Sequence, residues 1–114
     1  MALAYEHFKT LLKLKTELKS INFFTKNQTR FLIWLLAVTT FKEDIDKNFS
    51  YYYTNIPNHI SSQININNQI DMAIESGFLE KKHSEIDKRS SIVIPTKQTI
   101  EDYNVYRDLI KKCL

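Results

Sequence analysis

The chain has one glycine, Gly77, and it stands where the hydrophobic period changes. Before it, Ile66, Ile70, Ala73 and Ile74 recur at the i, i+4, i+7, i+8 spacing of a single helical face. After it, residues 78–82 and 91–94 read as two short strands, separated by the polar stretch 83–90. A glycine just past the last helical turn closes a helix and lets the chain reverse. The segment therefore predicts helix, stop and β-hairpin in that order. With one glycine and two prolines in 114 residues, the rest of the chain has little material for irregular loops, which favours a helix-rich fold. Hydrophobic residues make up 43% of it, enough for the core of one modest domain.

Several classes of function are disfavoured at once. A single glycine argues against a phosphate-cradling loop, and no Ser-His-Asp ordering or carboxylate pair stands out, so an enzyme is not expected. The lone Cys113 excludes an internal disulfide framework and a multi-cysteine metal site. His7, His59 and His83 are scattered without ligand spacing and read as solvated or capping histidines. No cofactor and no metal are expected. Residues 1–20 carry lysine throughout and lack a small-residue cleavage site, and the apolar run 31–38 is too short to span a bilayer. The expectation is a cytoplasmic protein with no membrane contact.

Residues 3–21 read as one helix. Leu11, Leu14, Leu18 and Ile21 form one apolar stripe, Tyr5, Phe8 and Leu12 a second beside it, and Lys9, Lys13, Lys15 and Lys19 fill much of the remainder. Two adjacent stripes fit two neighbours, one of them in another chain; they equally fit a single broad core face. Thr25 to Gln28 matches a capping box with Thr25 as N-cap, opening an almost wholly apolar central helix to about Phe41. Residues 42–48 read as a loop. Residues 49–59, with three tyrosines in a row, fit either a short strand or the start of a helix that Pro57 keeps short. Ser61 and Ser62 offer N-caps for the helix ending at Gly77. Thr96 offers one for a last helix carrying Ile100, Tyr103, Tyr106, Ile110 and Cys113 on one side.

This order of elements is that of a winged helix-turn-helix: mostly α, with a small β-hairpin wing. Ser61, Ser62, Gln63, Asn65, Asn67 and Asn68 crowd the start of the penultimate helix, where short polar side chains can reach base edges in a major groove. Asn and Gln can pair bidentately with adenine. The same amide face also suits a solvated helix in a chain rich in Asn, Ile and Lys. In the hairpin, Lys81, Lys82, Lys88 and Arg89 flank or occupy the turn, and Asp87 stands two residues before Arg89, where it could hold the guanidinium. A basic tip of this kind suits a narrow minor groove. It also suits a surface hairpin with an ion pair of little consequence. Net charge is only +3, with a pI near 8.9, a weak push toward nucleic acid by itself.

Residues 77–96 resemble the wing of MarR-type regulators: glycine, an aromatic, an aliphatic, basic and polar residues, Asp-x-Arg at 87–89, then a strand ending in Thr before a helix. The compact size and the Lys-Lys-x-Ser-x-x-Asp-x-Arg run from Lys81 to Arg89 look most like the staphylococcal accessory regulator (SarA) branch. The likeness is sharp over residues 66–96 and architectural over 1–21 and 97–114. It implies a transcriptional regulator of duplex DNA that acts as a homodimer, with residues 1–114 as one domain and 1–24 and 96–114 as dimerisation helices. It implies the recognition helix in the major groove and Arg89 in the minor groove, supported by Asp87. Two positions depart from the pattern. Pro57 falls where the helix before the recognition helix would run. Cys113 lies in the last helix, where redox-sensing members carry their cysteine in the first. The same fold also hosts protein-interaction modules, such as an anti-repressor or assembly subunit, and plasmid or phage replication or partition proteins. Operator, target genes and small-molecule effector are not legible.

Overall fold

A computed structural model describes residues 2–39, 48–83 and 91–113. In chain order it contains α1 (Ala2–Glu17), α2 (Lys19–Phe24), α3 (Gln28–Thr39), α4 (Phe49–Asn55), α5 (Gln63–Glu75), β1 (Leu79–His83), β2 (Ser91–Pro95) and α6 (Lys97–Cys113). The strands pair antiparallel, with Leu79 opposite Pro95 and His83 opposite Ser91. An isolated antiparallel bridge joins Asn48, just before α4, to Ile92 of β2. The fold class is the one the sequence predicts, mostly α with a two-stranded wing.

α3 lies at the centre. Trp34 and Ala37 are fully buried and Ile33 and Val38 nearly so, with Phe31, Leu32, Leu35 and Leu36 packed around them. Trp34 stacks on Phe24 of α2 and meets Tyr103 and Tyr106 of α6 edge-on. A large apolar side chain removed from water contributes about 1.5–3 kcal/mol, and this aromatic group joins α2, α3 and α6 across the core. Tyr52 of α4 is also fully buried, and its hydroxyl donates to the Val93 carbonyl at 3.0 Å, tying α4 to the wing. Burial, with a smaller push from Tyr51, drives its phenol well above the ordinary value.

Two expectations are corrected here. Residues 3–21 do not form one helix: Leu18 is extended (φ −116°, ψ 115°) and separates α1 from α2. A straight continuation would turn Ser20 about 120° away from Leu14. The break brings Ser20, Ile21 and Phe24 all to the core, where the Ser20 hydroxyl donates to the Asp102 carboxylate of α6. The N-cap of α3 is Asn27, not Thr25. Asn27 Oδ1 accepts from the Arg30 amide at 2.8 Å, whereas the Thr25 hydroxyl donates back to the Ile21 carbonyl at 2.6 Å and finishes α2. The expected end of this helix at Phe41 and most of the loop at 42–48 lie outside the described residues. Residues 49–59 resolve as the helical alternative, with Asn48 Oδ1 accepting from the Tyr51 amide at 2.9 Å. The helix ends before Pro57, and Ile56 takes the extended backbone that a following proline favours.

Candidate nucleic-acid interface

α4, a turn and α5 form the helix-turn-helix. The turn is held by the Pro57 carbonyl, which accepts from the amides of Ile60 (3.0 Å) and Ser61 (3.2 Å). Ser62 is extended and its hydroxyl accepts from the Asn65 amide at 3.2 Å, so it is the N-cap of α5. At the other end, Gly77 has φ +83°, which a residue with a Cβ rarely adopts. The Phe78 amide donates to the Ala73 carbonyl at 2.9 Å and the Gly77 amide to that of Ile74 at 3.1 Å, closing a Schellman motif. Thr96 then donates through its hydroxyl to the Gly77 carbonyl at 2.9 Å, and Thr99 to the Phe78 carbonyl at 2.6 Å. These bonds fix the angle between α5, the wing and α6.

The amide face of α5 divides into two groups. Gln63 and Asn68 are exposed. Asn65 is half-buried and both ends of its amide are engaged: Nδ2 donates to Ser61 Oγ at 2.8 Å and to Thr29 Oγ1 at 3.4 Å, and Oδ1 accepts from Gln69 Nε2 at 3.2 Å. Gln69 Oε1 in turn accepts from Arg30 Nε at 2.6 Å, and that guanidinium lies 4.1 Å from the centre of the Phe23 ring. Ser61, Asn65, Gln69, Thr29 and Arg30 thus form a polar ladder that pins α5 onto α3. Asn67 accepts from the Tyr53 hydroxyl of α4. Ser61 is nearly buried and Ser62 is exposed at the helix start.

Lys81 and Lys82 are exposed on β1. Lys81 Nζ sits 5.4 Å from the centre of the Phe49 ring, and Lys82 lies 3.3 Å from Glu80. Lys81 shares an open cleft of about 500 Å³ with Phe49, Tyr53, Ile64, Asn68 and Asp71, so the wing root and the outer face of α5 front one surface. Lys88, Arg89 and Asp87 lie outside the described residues. One feature of the face escaped the sequence reading: Ile64, which is 74% exposed. Its signal was an isoleucine lying off the Ile66–Ile70–Ala73 stripe. No acidic residue occupies the first turn of α5, while Asp71 and Glu75 lie in its second half. Among the described residues no cluster of three or more His, Cys, Asp or Glu could hold a metal, and no helix is long and apolar enough to cross a membrane.

A short helix, a turn, a second helix closed by glycine, a two-stranded hairpin and a returning helix define the winged helix-turn-helix fold. No family model and no curated protein matches the sequence. Solved structures of AbfR, a winged-helix regulator of Staphylococcus epidermidis from the SarA/MarR family, do share the fold. The disulfide-formed AbfR superposes with a TM-score of 0.54 at 17% identity, over 97% of this chain and 70% of that one. The overoxidised AbfR bound to DNA gives 0.54 at 18%, over 97% and 74%. At such identity the likeness is one of fold.

Proposed function

We propose that this chain is a sequence-specific duplex-DNA-binding transcriptional regulator that works as a homodimer. The observation that carries it is the common surface of α5 and β1. Exposed amides without an acidic neighbour in the first turn stand beside the exposed Lys81, on the fold of AbfR, which has been solved bound to DNA. Polarity along α5 gives the docking direction. Its first two turns carry the helix-dipole positive end and neutral donors, whereas Asp71, across the same cleft from Lys81, and Glu75 would repel phosphates further along the helix.

Within that reading, Ser62, Gln63 and Asn68 approach base edges in the major groove, and Ser61, Asn65 and Asn67 hold the helix in position. Lys81 and Lys82 neutralise phosphates, and Lys88 and Arg89 take the minor groove with Asp87 in support. The AbfR likeness also favours a regulator over an enzyme. The dimer has its own support: Tyr5 (62% exposed), Phe8 (59%) and Leu12 (48%) leave an apolar strip along α1. Phe8, Leu11, Leu12 and Phe31 line a groove of about 380 Å³ beside it. A second copy covering α1 would bury that strip and space two α5 helices about one DNA turn, roughly 34–36 Å, apart.

The test is selection of duplexes from a random pool by the purified protein, followed by sequencing. Enrichment of one motif with two related halves is expected. Retention of no duplex at low salt, together with salt-insensitive capture of a protein, would replace the regulator with a protein-interaction module.

A further inference from the structure

Ile64 has no structural reason to be where it is. It is more exposed than Tyr5 or Phe8 of α1, at 74% against 62% and 59%. It packs no core residue, and a β-branched side chain at an exposed helical position is a weaker helix former than Ala, Gln or Lys. Its neighbours are informative. Gln63 precedes it, Asn68 lies one turn further on the same face, and both are exposed. Lys81 fronts the same cleft from β1.

In a major groove the four bases differ in one apolar group: only thymine carries a C5 methyl. Its partner adenine offers N6 and N7 to an amide. An isoleucine between two amides therefore presents the two chemistries that an A·T pair displays, with a lysine at the side for a phosphate. We infer that Ile64 packs against a thymine methyl and is a specificity-determining residue of the interface, an assignment that rests on the DNA-binding reading above. A small apolar ligand fits the cleft poorly, because Asn67, Asn68, Asp71 and Lys81 supply much of its wall. The methyl contact discriminates thymine from cytosine at a position where lysine on a phosphate cannot.

The test uses the intact protein and the duplex it enriches from a random pool. Each thymine of that duplex is replaced in turn by deoxyuridine, which removes the methyl and keeps the pairing. The wild-type protein is expected to lose about fourfold in affinity at one position of the half-site, the worth of one buried methyl group, and to ignore the change elsewhere. Ile64→Ala should bind the thymine and uracil duplexes equally at that position, with an unchanged thermal melt because the side chain is exposed. Equal wild-type affinity for every uracil duplex would overturn the inference while leaving DNA binding intact. So would an Ile64→Ala protein that still discriminates. If the wild type enriches no duplex at all, retention rather than discrimination is lost, and the DNA-binding reading falls together with the methyl contact.

Discussion

Asn65 and Asn68 are chemically identical and three residues apart on α5, yet the structure predicts opposite phenotypes for their loss. Asn65→Ala removes bonds to Ser61 Oγ at 2.8 Å and from Gln69 Nε2 at 3.2 Å, plus a longer one to Thr29 at 3.4 Å. Ser61 is only 5% exposed, so its hydroxyl loses a partner that water reaches poorly. A neutral hydrogen bond nets about 1 kcal/mol, and stranding a buried partner adds to it. Because Asn65 itself is half-buried, water recovers part of the loss, which leaves about 1.5 kcal/mol. With a urea m-value of about 1.5 kcal/mol/M, the unfolding midpoint should fall by about 1 M. Asn68→Ala touches no such network and should leave the midpoint unchanged. On DNA the order reverses. Asn68→Ala should lose about 1–3 kcal/mol on the preferred duplex and little on a scrambled one, while Asn65→Ala should change both only slightly. Urea unfolding followed by fluorescence, alongside competition titrations of both variants, decides it. An Asn65→Ala protein as stable as wild type but blind to sequence would refute the ladder and return Asn65 to the base-reading face.

Gly77→Ala should cost about 1 kcal/mol, lowering the melting temperature by about 4–6 °C, because φ +83° is strained for alanine although a Cβ meets nothing within 4 Å; an unchanged melt would contradict the positive-φ cap. Tyr52→Phe removes the hydroxyl bond to the Val93 carbonyl and should cost about 1 kcal/mol at neutral pH by chemical denaturation. The Tyr52 phenol titrates higher when folded than its ordinary 10.0 because burial disfavours the anion. Its contribution is therefore complete below pH 10 and lost above it, at about 1.4 kcal/mol per pH unit. Tyr52→Phe should flatten that alkaline fall, leaving a residue from Tyr106, which burial shifts the same way. Leu12→Glu should leave the fold intact, since the side chain is 48% exposed, but sediment as a monomer at tens of micromolar, where the proposed dimer is expected of the wild type.

The segment from α5 to the wing was legible because local signals agree there. The Ile66–Ile70–Ala73 face, a serine cap, a glycine stop and two short strands around a polar turn all specify one arrangement, and the described residues have it. What escaped depends on partners distant in sequence. No Gly or Pro between residues 3 and 21 announces a break; the one at Leu18 brings Ser20 to Asp102, 82 residues away, and Ile21 and Phe24 into the core. Thr25 fits the capping box, but its hydroxyl is taken by the Ile21 carbonyl at the end of α2, and Asn27, a residue type that also caps helices, does the capping instead. The tyrosine run at 51–53 was ambiguous between strand and helix until Asn48 capped it. On a helical wheel Asn65 and Asn67 look as free as Asn68, because Thr29 and Tyr53, which engage them, come from other helices. Asp87, Lys88 and Arg89 lie outside the described residues, and their roles are read from charge and spacing in the sequence.

The central claim is sequence-specific binding of duplex DNA, and a salt-titrated competition tests it most directly. Affinity for the enriched duplex and for a scrambled one is measured over a range of salt concentrations, for the wild type, Lys81→Ala and Arg89→Ala. Lys81 and Lys82 of two protomers predict a log–log salt slope of about −3.6 or steeper, and each variant should make it shallower by about 0.9 for every phosphate that a protomer no longer neutralises. The enriched duplex should bind at least about a thousandfold tighter than the scrambled one. A slope near zero, or equal affinity for both duplexes, would contradict the account.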